Sequence, residues 1–358
     1  MSRQHRFPQL HFLDIFLIFV PISIASYYLN FHPAFSFVTT GAAIVAISHV
    51  IIEATGIIAQ RVSTTISALI NATFGNAIEF FIAIFSLRNG LVEMVKASII
   101  GSIVLNVLFL IGLSMFAGGL KYKEQRFNKD SAGLSSTMLI VVVAGLVLPS
   151  MYNMLVGKTA HTMSLAVSAV LGIVYLLSLL YTLVTHKHLF IVEREIPSPP
   201  KPKYRPWSLR AAVVLLLIAI GLGSLESYLL VDTITPHIGD TGLNQVFLGL
   251  VVIAVLTNIP EHITAVNFAR KNNMTLSLEI GMSSALQIAL FVVPVLVLLS
   301  STLTGNALDL VFNPFALVSL VMTAMIANYI SADGICHWLE GVLLIAVYLL
   351  IAIAFYFI

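Results

Sequence analysis

Gly75-Asn76-Ala77-Ile78-Glu79 and Thr257-Asn258-Ile259-Pro260-Glu261 each set an Asn and a Glu three residues apart inside a long apolar stretch. A carboxylate at the centre of a hydrocarbon layer costs from about 2.5 to more than 10 kcal/mol, so it is seldom kept for packing alone. The two acids stand in matching surroundings at an offset of 182 residues. That suggests a duplicated unit in which each half contributes one acid, as many secondary transporters do to build an ion site near the bilayer midplane. The first expectation is therefore cation transport.

The rest of the chain sets the frame for that site. Hydrophobic residues make up 59% of it and charged residues 9%, with a mean hydropathy of +1.00. Soluble domains carry about 25% charged residues, so the composition indicates a polytopic membrane protein. Apolar runs of helical length fall at 11–31, 35–59, 64–87, 93–117, 133–152, 162–185, 209–230, 244–268, 275–299, 309–329 and 337–357. The fold expected is all-α, with eleven transmembrane helices. The first run is too long for a signal-peptide core and is read as a retained span. The lone Cys336 excludes an internal disulfide.

An odd number of spans puts the termini on opposite sides. Fifteen lysines and arginines then fall on the N-terminal side, against Arg88, Lys96 and Lys158 on the other. By the positive-inside rule the N-terminus is cytoplasmic and the C-terminus outside. Short loops favour a prokaryotic cytoplasmic membrane. A Pro-rich linker at 186–208 contains Pro197, Pro199, Pro200, Pro202 and Pro206, a composition suited to a semi-extended spacer. It divides the chain into an N-terminal span (1–34), a first five-helix unit (35–185) and a second (209–358). Five is odd, so the second unit must enter the membrane from the opposite face, as an inverted repeat.

The polar residues share that register. Asn76 and Glu79 correspond to Asn258 and Glu261, and Ser102 and Asn106 to Ser283 and Gln287 at an offset of 181. Residues at i,i+3 or i,i+4 share a helix face, so four helices each offer oxygen donors to one axis. Calcium takes six to eight hard oxygens at about 2.3–2.6 Å. Two glutamates would neutralise it and, when it leaves, would take up protons, so metal and protons compete for the same oxygens. Glu79 and Glu261 are the expected cation and proton ligands, and Asn76, Asn258, Ser102, Asn106, Ser283 and Gln287 the expected lining. His262, Glu53 and Glu226 are candidate gate or relay residues. His49 and Glu53, at i,i+4, are positioned to pair with each other. Glu279, near a helix end, is read as structural or at a cavity mouth. Gly75 and Pro260 are both expected to break their helices, Pro260 by freeing the carbonyl of Leu256.

Asn71-Ala72-Thr73-Phe74-Gly75-Asn76-Ala77-Ile78-Glu79 resembles the first signature repeat of the calcium/proton (cation/proton) exchanger family of the calcium/cation antiporter superfamily. Gln287-Ile288-Ala289-Leu290-Phe291-Val292-Val293-Pro294 resembles the end of the second. The resemblance covers spans 2–11. It implies that the two signature glutamates bind calcium, that an extra first span precedes two inverted five-helix repeats, and that protons drive calcium export. Homotrimers occur in that family, so a homo-oligomer is an expectation. The chain departs from it at Thr257, Ile259 and Pro260, where small residues are usual, which leaves sodium, potassium or manganese as alternative cargo. Many relatives also carry an acidic linker, whereas this one has only Glu193 and Glu195.

The expected partners are cations, protons and the lipid bilayer, with no nucleic acid and no cofactor beyond transported Ca2+ and H+. A cation channel is the rival from another class. An intramembrane hydrolase lacks a Ser/His, His/Glu/His or paired-Asp motif, so no enzyme is expected.

Overall fold

The computed structural model describes residues 12–157, 160–186, 208–238, 244–305 and 307–357. Residues 1–11, Lys158 and nearly all of the linker at 186–208 therefore lie outside the described residues. The architecture is helical. After a 3-10 turn, Phe12–Ile18, come α1 (Phe19–Tyr28) and α2 (Pro33–Ala59). Then follow α3 (Thr64–Phe74), α4 (Ala77–Arg88) and α5 (Val92–Gly119). The strand β1 (Gln125–Arg126) leads into α6 (Lys129–Val156) and α7 (His161–Thr185). The second half comprises α8 (Leu209–His237), α9 (Gln245–Ala269), α10 (Met274–Thr304), α11 (Pro314–Ile330), β2 (Ile335–Cys336) and α12 (Trp338–Tyr356).

Eight of these helices are long and apolar enough to cross a bilayer: α2, α5 to α10 and α12. The other three expected spans take different forms. The first and tenth correspond to the shorter apolar helices Leu13–Tyr28 and Pro314–Ile330. The third is divided into α3 and α4 at Gly75–Asn76. Side chains mark many of the ends. Asn128 Oδ1 accepts from the backbone N–H of Asp130 and Ser131 at 3.0 Å to start α6, and Gly157, at φ +68°, ends it. Asn313 followed by Pro314 opens α11 in the same manner.

Two apolar cores form, one running through α5 to α7 and α9 to α12, the other joining α1, α2, α4 and α8. The closest crossing is between α5 and α9. A Cβ on Gly101 would lie 2.2 Å from the Leu250 carbonyl oxygen, and one on Gly249 would lie 2.3 Å from that of Met94. Only glycine permits this approach, as small residues do between membrane helices.

On one face, β1 pairs antiparallel with β2, Gln125 with Cys336 and Arg126 with Ile335, a feature absent from the all-α expectation. Gln125 Nε2 also donates to the Ala269 carbonyl at 2.8 Å, and Thr275 Oγ1 accepts from the Asn128 N–H. The ends of α5 and α9 and the starts of α6 and α10 are thereby gathered on this face, to which α7 returns before the linker. We call it the linker face. Here burial, with the nearby acids Glu340 and Asp333 adding to it, pushes the Cys336 thiol up to about 12. On the opposite face the buried Lys96 pairs with Asp309 at 2.6 Å.

Candidate functional site

Glu79 lies in the first turn of α4, just beyond the interruption after α3. Asn76 at that interruption has φ −107° and ψ 26°, off the helical path, so its side chain is not committed to the helix. It donates through Nδ2 to Gln287 Oε1 of α10 at 2.9 Å, a bond that joins the two halves.

Glu261 comes from α9. After a π turn at Leu248–Ile253 this helix runs as an α-helix from Ala254 through Pro260, so the expected break at Pro260 is absent. Around Pro260, α9 is held both by its own side chains and by α5. Asn258 is fully buried and its Nδ2 donates to the Ala254 carbonyl at 2.9 Å and Thr257 Oγ1 at 3.0 Å, with Ser102 Oγ at 3.4 Å. Asn106 Nδ2 completes the network, donating to Asn258 Oδ1 at 2.8 Å and Ser284 Oγ at 3.0 Å. The close α5–α9 crossing puts Ser102 and Asn106 within reach of Asn258. Both α5 and α10 widen into a π turn nearby, at Leu105–Leu110 and Ile288–Val292, positions that correspond in the repeat register. Such turns are frequent at functional sites.

Glu79 lines one cavity with Thr257, which stands one turn before Glu261 on α9, so the two acid-bearing segments meet here. Two oxygens at this centre are buried without a hydrogen-bond partner, Glu261 Oε2 and Asn106 Oδ1. Buried acceptors in an interior are normally satisfied. An unpartnered oxygen of one carboxylate together with an unpartnered amide oxygen suits a cation, which accepts lone pairs without offering a proton.

The two acids differ in their access. Glu79 faces a cavity of about 20 Å³ shared with Ser98, Ser102 and Thr257 and closed by Ala83, Ile99, Ile253, Ile288, Val292 and Leu296. Such a space holds about one water. Glu261 faces a cavity of about 140 Å³ with Asn71, Asn76, Thr264, Ser283, Ser284 and Gln287. Ile280, Ser283 and Gln287 also line a third cavity of about 420 Å³, between α6, α7 and α10 on the linker half. Access is therefore from the linker face, and the far side of the site is sealed by apolar side chains.

Of the expected residues, Glu79, Glu261, Asn76, Asn258, Ser102, Asn106, Ser283 and Gln287 come together here. Ser283 lines the cavity wall, and the neighbouring Ser284 makes the bond to Asn106. Thr257 and Asn71 also belong to the site. Thr257 was legible only as a departure from small residues, and Asn71 as part of the signature and, near the end of the third span, as a cap or cavity residue.

The gate or relay candidates fall elsewhere or in other roles. His262 is bound through Nδ1 to the Asn258 carbonyl at 2.6 Å, with its ring beside Phe109. Glu226 is fully buried, with Ser23 Oγ of α1 at 2.7 and 2.8 Å from its two oxygens. Together with the Tyr27–Asp232 hydrogen bond, this contact fastens the first helix to α8. Glu53 groups with Asp14 and His49, their ligand atoms within 4.8 Å of one another, so the expected His49–Glu53 pair includes a third member.

Comparison with known proteins gives the family. The sodium/calcium exchanger protein family matches residues 32–184 and 211–357. A protein of Aphanothece halophytica called Ca(2+)/H(+) antiporter is 38% identical over 95% of each chain. The Ca(2+)/H(+) antiporter ChaA of Bacillus subtilis is 33% identical, over 94% of this chain and 96% of its own. The solved structure of native YfkE superposes with a TM-score of 0.83 at 31% identity, covering 97% of this chain and 100% of that one. The fold is also that of the H+/Ca2+ exchanger CAX, with a TM-score of 0.70 at 17% identity, over 96% of this chain and 91% of that one. The chain belongs to the sodium/calcium exchanger protein family and, within it, to the calcium/proton exchangers.

Proposed function

We propose that the protein is an integral membrane antiporter that exchanges Ca2+ for H+ by alternating access and exports Ca2+ from the cytosol. The observation that carries this reading is the pair of acids, Glu79 and Glu261, on segments held by the Asn76–Gln287 and Asn106–Asn258 bonds, with one Glu261 oxygen and the Asn106 amide oxygen unpartnered. Ca2+ is bound there by both carboxylates, with Asn106 Oδ1 and hydroxyls of Ser102 and Thr257 at hand to complete a hard-oxygen shell. When Ca2+ leaves, two like charges in a site poor in water are costly unless protons replace it. A cavity that reaches Glu261 and a seal beyond Glu79 fit a gated site better than a filter in an open pore. The relatives named Ca2+/H+ antiporters support the choice of cargo.

Eleven membrane crossings are part of the same reading, with α3 and α4 forming one broken crossing. The two matched stretches on either side of the linker support a first unit at 35–185 and a second at 209–358 in inverted orientation. The linker face is then cytoplasmic, with the N-terminus, and the C-terminus lies outside. The structure thus faces the cytoplasm.

The test is Ca2+ uptake into proteoliposomes under an imposed pH gradient, compared with Mn2+, Na+ and K+. Ca2+ movement that follows the sign of the gradient, with counter-movement of protons, is the expected result. Ca2+ flux indifferent to the gradient, or flux of Na+ or K+ alone, would overturn it.

A further inference from the structure

Among the described residues, the walls of the large cavity on the linker half contain one charged group, Glu279, and no lysine or arginine, and the remaining polar groups there are hydroxyls and the Gln287 amide. Ser131 Oγ of α6 lies 3.1 Å from Glu279 Oε1. On α10, Glu279, Ser283 and Gln287 follow one another at i, i+4 and i+8 ahead of the π turn, so they form one stripe. Each step rises about 6 Å. The stripe runs from the wide cavity to Gln287, which is bonded to Asn76 at the central site. A cavity of about 420 Å³ has room for a cation that still keeps water ligands.

We propose that Glu279 forms an outer cation site, which holds a hydrated divalent cation in this cavity before it passes along Ser283 and Gln287 to Glu79 and Glu261. The inference rests on the exchange proposed above. A lone negative group in a cavity with low-dielectric walls raises the local concentration of a divalent cation and speeds its arrival. Hydroxyls and water supply the remaining hard oxygens. The Ser131–Glu279 hydrogen bond ties α6 to α10, which would be a purely structural reason for Glu279, and the experiment must separate the two.

Glu279→Gln keeps an oxygen that accepts from Ser131 and removes the charge; Glu279→Asp keeps the charge. Ca2+ flux is measured in oriented vesicles, with Ca2+ presented to one face at a time. For Glu279→Gln the KM for Ca2+ at the linker face is expected to rise about tenfold at low salt, and the difference should shrink as ionic strength increases. Vmax and the KM at the opposite face should hold, and Glu279→Asp should stay near the parent. An unchanged linker-face KM, or a loss of Vmax shared by both variants, overturns the proposal.

A second readout needs no transport. In a Glu79→Gln/Glu261→Gln background, Mn2+ binding followed by electron paramagnetic resonance should retain one weak site, which vanishes when Glu279→Gln is added. Retention of that site in the triple variant would also overturn the outer site. If Glu79→Gln abolishes flux while Glu279→Gln changes neither measurement, exchange stands and only the outer site falls. If the parent protein moves no Ca2+, the exchange reading fails and the outer site fails with it.

Discussion

The two acid-bearing segments contain the same Asn-x-x-Glu spacing and reach the same centre by different backbones. The first is interrupted at Gly75–Asn76, which gives two helices of 11 and 12 residues. The second continues through Pro260. In the first, Asn76 is turned outward by its own backbone and spends its amide on α10. In the second, Asn258 remains helical and is fixed from the side by α5. A break in the chain thus depends less on the residue that permits it than on which neighbour satisfies the backbone and side chain around it. The access differs accordingly, with a cavity of about 140 Å³ at Glu261 against about 20 Å³ at Glu79.

Charge removal gives the largest expected effect and tests whether the unlike segments act as one site. Glu79→Gln and Glu261→Gln should each abolish coupled Ca2+ uptake in proteoliposomes, because either leaves the cation half neutralised. Coupled flux surviving in one variant would show that its segment is not a ligand arm.

Next comes the backbone contrast. A Cβ on Gly75 would stand 2.5 Å from the Asn71 carbonyl oxygen, so Gly75→Ala must shift the start of α4. Exchange should fall by roughly tenfold or more, since misplacing a working group by about 1 Å can cost on the order of 100-fold. Pro260→Ala restores an N–H to an existing helix and should keep exchange with equal or higher thermal stability. Equal losses in both would erase the contrast.

Smaller effects separate the two asparagines. Asn258→Ala takes Ser102's partner away and leaves buried Asn106 with Ser284 alone, and should lower stability by about 1–3 kcal/mol. Asn76→Ala frees Gln287 toward a cavity that water can enter, and about 0.5–1.5 kcal/mol is expected. Thermal unfolding in detergent measures both, and the reverse order would place the rigid anchor in the first segment.

The smallest concerns the strand pair that bridges the two halves on the linker face. With its thiol pushed up to about 12 and buried, Cys336 should react with maleimide at pH 7.5 far more slowly than an exposed cysteine. Fast labelling would mean that the pair opens readily.

Much of the centre was legible in the chain. Helical spacing placed Asn76 with Glu79, Asn258 with Glu261 and Ser102 with Asn106 on shared faces, and the offset near 182 named their partners in the other half. The same spacing placed Ser283 in the lining but did not single out Ser284, because a one-residue difference on α10 decides whether a hydroxyl meets Asn106 or only the cavity. Pro260 misled for a related reason, since a proline lowers the stability of a helix but lateral bonds decide whether it breaks. Glu226 looked like a relay because a buried acid in a span suggests function, and its partner Ser23 is 203 residues away.

Composition and periodicity by themselves determined a helical membrane protein and singled out Glu79 and Glu261, because burial of charge in hydrocarbon leaves few other reasons for those residues. Tertiary structure alone decided which amide meets which, where the backbone opens and from which face the site is reached. Those outcomes depend on the distance between helices, set here by contacts such as Gly101 on Leu250, and a pattern along one helix contains no information about that distance.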